Sequence, residues 1–146
     1  MAKTKLLLTC VDYTIPFHDN DMAGIVWHGN YFKYFEFARD QLLARLDLSI
    51  VTLAHEHHVG LPVIKSFCRY RKMLTFQEPI KIYAAISDYE NYLRFDFEIK
   101  DRNGTTMTTG YTQHAAIDLN TNELLFTLPD LIKERIAQHL DSQVKH

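Results

Sequence analysis

The amino-acid sequence predicts an α+β fold in which an antiparallel β-sheet wraps around one long central α-helix. An apolar stripe with helical spacing runs from Tyr31 to Leu46. Strand-like segments separated by turns fill most of the second half of the chain. Phe32 and Phe37 lie off the stripe, so the helix has apolar residues on more than one side. A sheet curled around the helix would bury them all.

The helices are predicted from spacing and caps. The apolar stripe occupies positions i, i+3, i+4, i+7, i+11 and i+15 of the long helix. Its residues are Tyr31, Tyr34, Phe35, Ala38, Leu42 and Leu46. A shorter helix is predicted at 49–57, with Ser49 as its N-cap and its end before Gly60. A closing helix is predicted after Pro129, where apolar residues again recur at helical spacing.

The strands are predicted from β-branched and aromatic residues and from turn signals. A first strand is predicted over 5–16 and ends where Pro16 lacks a backbone donor. Later strands are predicted within 61–74, 79–89, 91–100 and 105–119. The sequence Asp-Arg-Asn-Gly at 101–104 predicts a hairpin, so these strands should be antiparallel. Apolar and charged residues alternate over 93–100, which indicates one buried and one wet face.

Composition excludes several classes of protein. A chain of 146 residues and 17.1 kDa is predicted to form a single domain, 1–146. The net charge of -2 without a basic block argues against a nucleic-acid partner. Cys10 and Cys68 form no disulfide framework, and their apolar settings predict buried thiols. Because no apolar run is long enough to cross a membrane, we expect a soluble cytoplasmic protein.

The densest group of polar, glycine and aromatic residues lies at 17–31, FHDNDMAGIVWHGNY. In it the pattern D-x-A-G-I-V-W begins at Asp21, and E-x-A-R follows at 36–39. This pattern resembles the 4-hydroxybenzoyl-CoA thioesterase family and its acyl-CoA thioesterase relatives, which have the hotdog fold. The resemblance covers most of the chain, because strand, helix and sheet come in the family's order. It is most specific over 21–39.

The resemblance implies a hydrolase for acyl-CoA thioesters, with Asp21 as the catalytic carboxylate. It also implies that the backbone N–H of His28, at the start of the central helix, polarises the thioester carbonyl. In one branch of the family the His side chain assists, and both roles are open here. That branch often has a Tyr four residues before the Asp. This sequence has Phe17 there, so a mechanism that depends on the Tyr hydroxyl is not supported.

The residue chemistry fits these roles independently. A carboxylate can activate water or attack a thioester directly, and the sequence leaves both roles open to Asp21. A helix N-terminus offers unpaired N–H groups to a developing oxyanion. Gly24 and Gly29 would let the backbone approach the substrate. Trp27 and Tyr31 are candidates to shape the acyl pocket, with core packing as the alternative.

Other polar groups have weaker functional interpretations. The run at 55–58 lacks the HExxH spacing, so we predict neither a metal nor a cofactor. Glu36 and Arg39 are predicted to form an ion pair on the helix. The basic residues Arg69, Arg71 and Lys72 are a candidate patch for the phosphates of coenzyme A, with a solvated strand face as the alternative.

The function predicted from the sequence is therefore an acyl-CoA thioesterase. The alternatives are a thioesterase for acyl groups on acyl carrier protein and a non-catalytic acyl-thioester-binding module. A hotdog hydratase is disfavoured by the D-x-A-G-I-V-W segment. The resemblance also implies a homo-oligomer, a dimer or a homotetramer, with the site at a subunit boundary.

Overall fold

A computed structural model describes residues 6–144 of the chain, and the side chains of residues 8–140. One five-stranded antiparallel sheet has the strand order β1-β4-β5-β6-β3. Its strands are β1 (Leu6–Thr14), β3 (Val63–Tyr70), β4 (Pro79–Asp88), β5 (Leu93–Asp101) and β6 (Thr106–His114). The helices are α1 (Asn30–Arg45), α2 (Ile50–His57) and α3 (Asp130–Val144). The predicted α+β class is confirmed.

Helix α1 packs against the inner face of this sheet. All six residues of the predicted stripe are at most 1% exposed. The ring of Phe35 stacks on that of Phe97 in β5, with 4.5 Å between their centroids. Gly110 in β6 makes this approach possible. A β-carbon there would lie 2.5 Å from the Phe67 carbonyl oxygen and 2.7 Å from a Phe35 ring carbon.

The strand β5 alternates as its sequence predicts. Leu93, Phe95, Phe97 and Ile99 are buried, whereas the charged residues between them are half-buried. The hairpin between β5 and β6 is closed by Asp101, whose side chain accepts hydrogen bonds from the backbone N–H groups of Asn103 and Thr105. Gly104 takes the positive φ of 81° that the turn requires.

Helix α2 also begins and ends as predicted. The Ser49 side chain accepts a hydrogen bond from the backbone N–H of Thr52 at 3.1 Å. His58 ends the helix in the left-handed conformation, with a φ of 56°.

A second, three-stranded sheet was not predicted from the sequence. It pairs β2 (Val59–Gly60), β7 (Ile117–Asp118) and β8 (Glu123–Leu124) in the order β2-β7-β8. Strands of two residues are too short to show a period in the sequence. The predicted closing helix is α3, and its Ile132 and Ile136 are fully buried in the core.

Cys10 corrects one expectation, since it is exposed while Cys68 is half-buried. Cys10 lies in the edge strand β1, next to the buried Thr9, and successive side chains of a strand point to opposite faces. Among residues 6–144, no helix is both long and apolar enough to cross a membrane.

The change Gly110→Ala should destabilise the fold by about 1–3 kcal/mol, because the new methyl group has no space between the Phe67 carbonyl and the Phe35 ring. Urea unfolding followed by circular dichroism measures this. The matched control is Thr109→Ala, the preceding residue, whose side chain points to the other face. Equal stability of both variants would contradict the close approach.

Candidate active site

The loop between β1 and α1 carries the candidate carboxylate. It begins with a 3-10 turn at Phe17–Asp19 and is held together by an isolated bridge between Asn20 and Val26. Within it the backbone N–H of Asp21 donates to the Ile25 carbonyl at 2.8 Å. Gly24 has a φ of 82° and donates from its N–H back to the Asp21 carbonyl. A tight turn thus presents Asp21 at its start.

The side chain of Asp21 is exposed and lies in an open cleft of about 650 Å³. Its Oδ1 accepts a hydrogen bond from the backbone N–H of Ala23 at 2.8 Å. Within the described residues, its Oδ2 has no hydrogen-bond partner, so this oxygen is free to face a ligand. The other residues that line the cleft are Phe17, His18, Asn20, Met22, Gly24 and Phe76.

The walls of this cleft are largely apolar. Phe17 packs edge-on against Phe76, with 5.3 Å between ring centroids, and still has 74% of its surface exposed. Met22 is fully exposed. Large exposed apolar side chains beside the Asp21 carboxylate indicate a ligand-binding surface.

The start of α1 provides unpaired hydrogen-bond donors. Gly29 is the N-cap residue and has no side chain to cap the helix. In residues 6–144, the backbone N–H groups of His28 and Gly29 have no acceptor. The partial positive charge of a helix N-terminus favours an anionic oxygen at this place. The structure thus leaves the predicted amide of His28 available.

Tyr70 of β3 fixes the peptide group that follows His28. Its hydroxyl donates to the His28 carbonyl oxygen at 2.9 Å, and this peptide carries the N–H of Gly29. Burial and the hydrogen bond with Cys68 raise the pKa of Tyr70 to about 12, so its hydroxyl keeps its proton. Sequence reasoning missed Tyr70, because 42 residues separate it from His28 and no motif joins them.

Trp27 and Gly29 are in contact. The Trp27 ring, half exposed, covers Gly29 so closely that a β-carbon on Gly29 would overlap it. The His28 ring lies beside the Trp27 ring, with 5.2 Å between centroids.

Tyr31 has a different position from the other predicted binding residues. It is 1% exposed, and its ring packs edge-on against Tyr70, with centroids 4.7 Å apart. Its hydroxyl accepts a hydrogen bond from the Leu74 N–H. This burial fits the alternative of core packing. From the core, the Tyr31 ring packs against Tyr70 and supports its position.

Asp19 is a buried carboxylate two residues before Asp21. Its side chain accepts hydrogen bonds from the Tyr34 hydroxyl at 2.7 Å and from Lys33 Nζ at 3.0 Å. Burial alone would raise the pKa of Asp19, but these two hydrogen bonds and the charge of Lys33 outweigh it and lower the pKa. Burial and the Asp19 carboxylate raise the pKa of Tyr34.

A smaller cavity of about 190 Å³ lies between α1 and the sheet. It is lined by Phe32, Phe35, Glu36, Arg39, Val63, Ser66, Phe97 and Thr112. The predicted pair between Arg39 and Glu36 is present at 3.9 Å, but Arg39 bonds Asp40 more closely, at 2.8 Å. The cavity is thus lined by aromatic rings and by the polar side chains of Glu36, Arg39, Ser66 and Thr112.

His114 orients the Thr112 hydroxyl at this cavity. Its Nδ1 bonds the Leu61 carbonyl oxygen at 2.9 Å, which requires an N–H there. Its Nε2, 3.1 Å from Thr112 Oγ1, then accepts from the Thr112 hydroxyl. Burial lowers the pKa of His114, and the charge of Arg39 lowers it further, despite the bond to Leu61.

The described part of the chain holds no group of three His, Cys, Asp or Glu side chains arranged to bind a metal ion. His55, His57 and His58 are exposed at the end of α2. Arg69, Arg71 and Lys72 are also exposed, at the end of β3 and in the turn after it.

An antiparallel sheet wrapped around a central helix is the hotdog fold. The chain belongs to the thioesterase-like superfamily, whose model matches residues 15–138. Thioester hydrolysis is the activity of this class, and the predicted family and enzyme type are confirmed.

Similar solved structures have the same fold. A 1,4-dihydroxy-2-naphthoyl-CoA thioesterase of Synechocystis is 17% identical, has a TM-score of 0.80, and is matched over 89% of this chain and 96% of its own. The DHNA-CoA thioesterase of Staphylococcus aureus is 22% identical and has a TM-score of 0.80. The match covers 94% of this chain and 91% of that protein. Another S. aureus protein, solved in complex with CoA, is 18% identical and has a TM-score of 0.81. The match covers 97% of this chain and 87% of that protein.

Two further relatives are similar at the level of sequence. A candidate esterase of Aquifex aeolicus is 28% identical over 80 residues, and the match spans 60% of that protein. A candidate esterase of Synechocystis is 24% identical over 124 residues, and the match spans 74% of that protein.

The pKa of His114 predicts an acid-sensitive fold. Because its pKa is lower in the folded than in the unfolded state, where it is about 6.5, the unfolded chain binds more protons below that pH. The free energy of unfolding should therefore fall as the pH decreases from 7 to 5. Denaturant unfolding across this range measures the slope. His114→Asn should reduce the slope, and an unchanged slope would contradict the assignment.

Proposed function

We propose that this chain is an acyl-CoA thioesterase in which Asp21 performs the chemistry and the His28 amide polarises the thioester carbonyl. The observation that carries this proposal is the pair of unpaired groups on either side of one loop. These are the Oδ2 of Asp21 and the N–H of His28, neither of which has a hydrogen-bond partner among residues 6–144. The free N–H of Gly29 offers a second donor.

Two routes lead from this pair to products. In one, Asp21 takes a proton from water, the hydroxide attacks the carbonyl carbon, the C–S bond breaks, and the proton passes to the leaving thiolate. In the other, Asp21 attacks the carbonyl carbon, the thiolate leaves, and water hydrolyses the resulting anhydride. In both, negative charge grows on the carbonyl oxygen, which the amides at the helix start stabilise.

The remaining predicted residues have supporting roles in this proposal. Gly24 leaves open space at its α-carbon, where the thioester can approach the backbone, whereas the space at Gly29 is filled by the Trp27 ring. The His28 imidazole is exposed and available to assist. Phe17 supplies an apolar wall to the cleft instead of a hydroxyl. Tyr31 acts from the core through its contact with Tyr70.

The small cavity is our candidate for the acyl group. Phe32, in the first turn of α1, is among the residues that line it. Its volume of about 190 Å³ compares with the roughly 150 Å³ of an engineered apolar cavity that binds benzene. We therefore propose an acyl group of one aromatic ring or a short chain, smaller than the two-ring naphthoyl group named for one of the similar structures.

Coenzyme A is the proposed carrier, with acyl carrier protein as the alternative. The exposed cations Arg69, Arg71 and Lys72 suit the phosphates of coenzyme A. One similar structure was solved with CoA. We place the enzyme in the cytoplasm, in line with its two free cysteines.

We also propose a homo-oligomer. Strand β3 is at the edge of the sheet, and its Val63, Ile64 and Phe67 are each 48% exposed. An unpaired edge strand with apolar side chains needs cover, and a second copy can supply it by adding its own strand.

Light scattering after size exclusion should therefore give two or four times the chain mass of 17.1 kDa. Phe67→Lys on the exposed edge should shift the mass toward one chain, while Lys65→Arg on the same strand should not. A single-chain mass for the wild type would contradict the oligomer.

The change Asp21→Asn should lower turnover of acyl-CoA by at least about a hundredfold, because it keeps the shape of the side chain and removes its charge. Release of free thiol from benzoyl, short-chain and long-chain acyl-CoA measures this. The matched control is Asp12→Asn, which removes an exposed carboxylate of β1 paired with Lys81. We expect the benzoyl or short-chain substrate to be best.

Other outcomes are equally informative. Wild-type activity in Asp21→Asn would refute the catalytic assignment. Thiol release from acyl carrier protein alone would identify that carrier, and binding without release from either carrier would indicate a non-catalytic module. His28→Gln removes the imidazole and retains the amide, so unchanged turnover in this variant would assign the role to the backbone.

A further inference from the structure

The buried carboxylate of Asp19 links the candidate loop to the first turns of α1. Asp19 is 2% exposed, whereas Asp21 is exposed. Its Oδ2 accepts from the Tyr34 hydroxyl at 2.7 Å, and its Oδ1 accepts from Lys33 Nζ at 3.0 Å. His18 Nε2, on an exposed side chain, lies 3.5 Å from the same Oδ1. Both of its closest partners belong to α1.

The backbone carbonyl of Asp19 makes a second set of bonds. It accepts from the Trp27 N–H at 3.0 Å and from Asn30 Nδ2 at 2.9 Å. The segment 20–26 is therefore a closed loop whose two ends meet at Asp19. Asp21 lies just inside this closure, and His28 lies just outside it.

A fold gains little stability from a buried charge, because removing a carboxylate from water is costly even when it is fully hydrogen-bonded. An apolar side chain of similar size would hold the loop without that cost. The carboxylate and the carbonyl of Asp19 instead fix the geometry of the loop. Hydrogen bonds hold atoms at defined distances and angles, whereas apolar packing does not.

We propose that Asp19 is a positioning residue for thioester hydrolysis, which fixes the separation between the Asp21 carboxylate and the His28 amide. This inference rests on the proposed function of these two groups. It assigns no contact with substrate to Asp19. Asp19 acts by holding the loop. Its carbonyl oxygen binds the Trp27 N–H and the Asn30 side chain, and its carboxylate binds Tyr34 and Lys33.

The test uses Asp19→Asn and Tyr34→Phe in the thiol-release assay. Tyr34→Phe retains the buried ring and removes only the hydroxyl that bonds Asp19. Each variant should lower kcat by about 10–100-fold, because small misplacements of reacting groups cost rates of this size. KM should change by less than about threefold, since carrier binding is not altered. Asp12→Asn is the charge-matched control and should leave both unchanged.

Trp27 supplies an independent readout. It is the single tryptophan of the chain, and its backbone N–H donates to the Asp19 carbonyl oxygen, so its fluorescence emission reports on the closure of the loop. The emission should shift in Asp19→Asn and in Tyr34→Phe, while far-ultraviolet circular dichroism stays that of the wild type. Asp12→Asn should shift neither. If Asp19→Asn does not fold, Tyr34→Phe and Asn30→Ala carry the test.

Wild-type kcat in folded Asp19→Asn and Tyr34→Phe would overturn the proposal. A rise in KM with unchanged kcat would also overturn it, because it would place Asp19 in carrier binding. Asp21→Asn, measured beside them, separates the two proposals. If it is inactive while the Asp19 and Tyr34 variants are active, only the positioning role fails. If it is fully active, the proposed function fails.

Discussion

The close packing of α1 into the curved sheet is the constraint on which the remaining structure depends. Phe35 reaches the sheet only because Gly110 leaves a gap, and it stacks there on Phe97. Once the helix lies in this position, its N-terminus is fixed relative to β3 and β1. The loop that connects β1 to α1 must then pass over the helix start. The candidate site is therefore a consequence of how the core is packed.

The site is built from one short loop and one helix end, and each presents a polar group that has no partner in the described part of the chain. Asp21 uses its Oδ1 to form the turn, and its Oδ2 has no hydrogen bond to any described residue. The helix begins at a glycine, which has no side chain to cap the amides. A serine or aspartate at that position could cap the N–H groups of Tyr31 or Phe32, but its side chain would overlap the Trp27 ring. The glycine therefore gives up a cap and makes room for Trp27 at the helix start.

Much of the fold could be predicted from the sequence, because the signals are periodic and local. The stripe of α1, the alternation of β5 and the hairpin at 101–104 are each properties of neighbouring residues. Asp21 and His28 were predicted as site residues because they lie in one motif. Tyr70 and the double role of Asp19 were not, since their bonds join residues that are 42 and 15 positions apart. The two-residue strands and the exposure of Cys10 depend on the completed sheet.

The order of strands in the sheet also affects how the chain is made. Cys10 in β1 pairs with Tyr83 in β4, and four of the five strands in the sheet that packs against α1 follow this helix in the sequence. During synthesis the apolar stripe of α1 is complete at residue 46, whereas β4 begins at residue 79 and β6 ends at residue 114, so the stripe lacks most of its sheet over this interval. Such non-local pairing gives a high contact order and slow folding. We therefore expect the nascent chain to depend on chaperones that shield α1 until β6 has emerged.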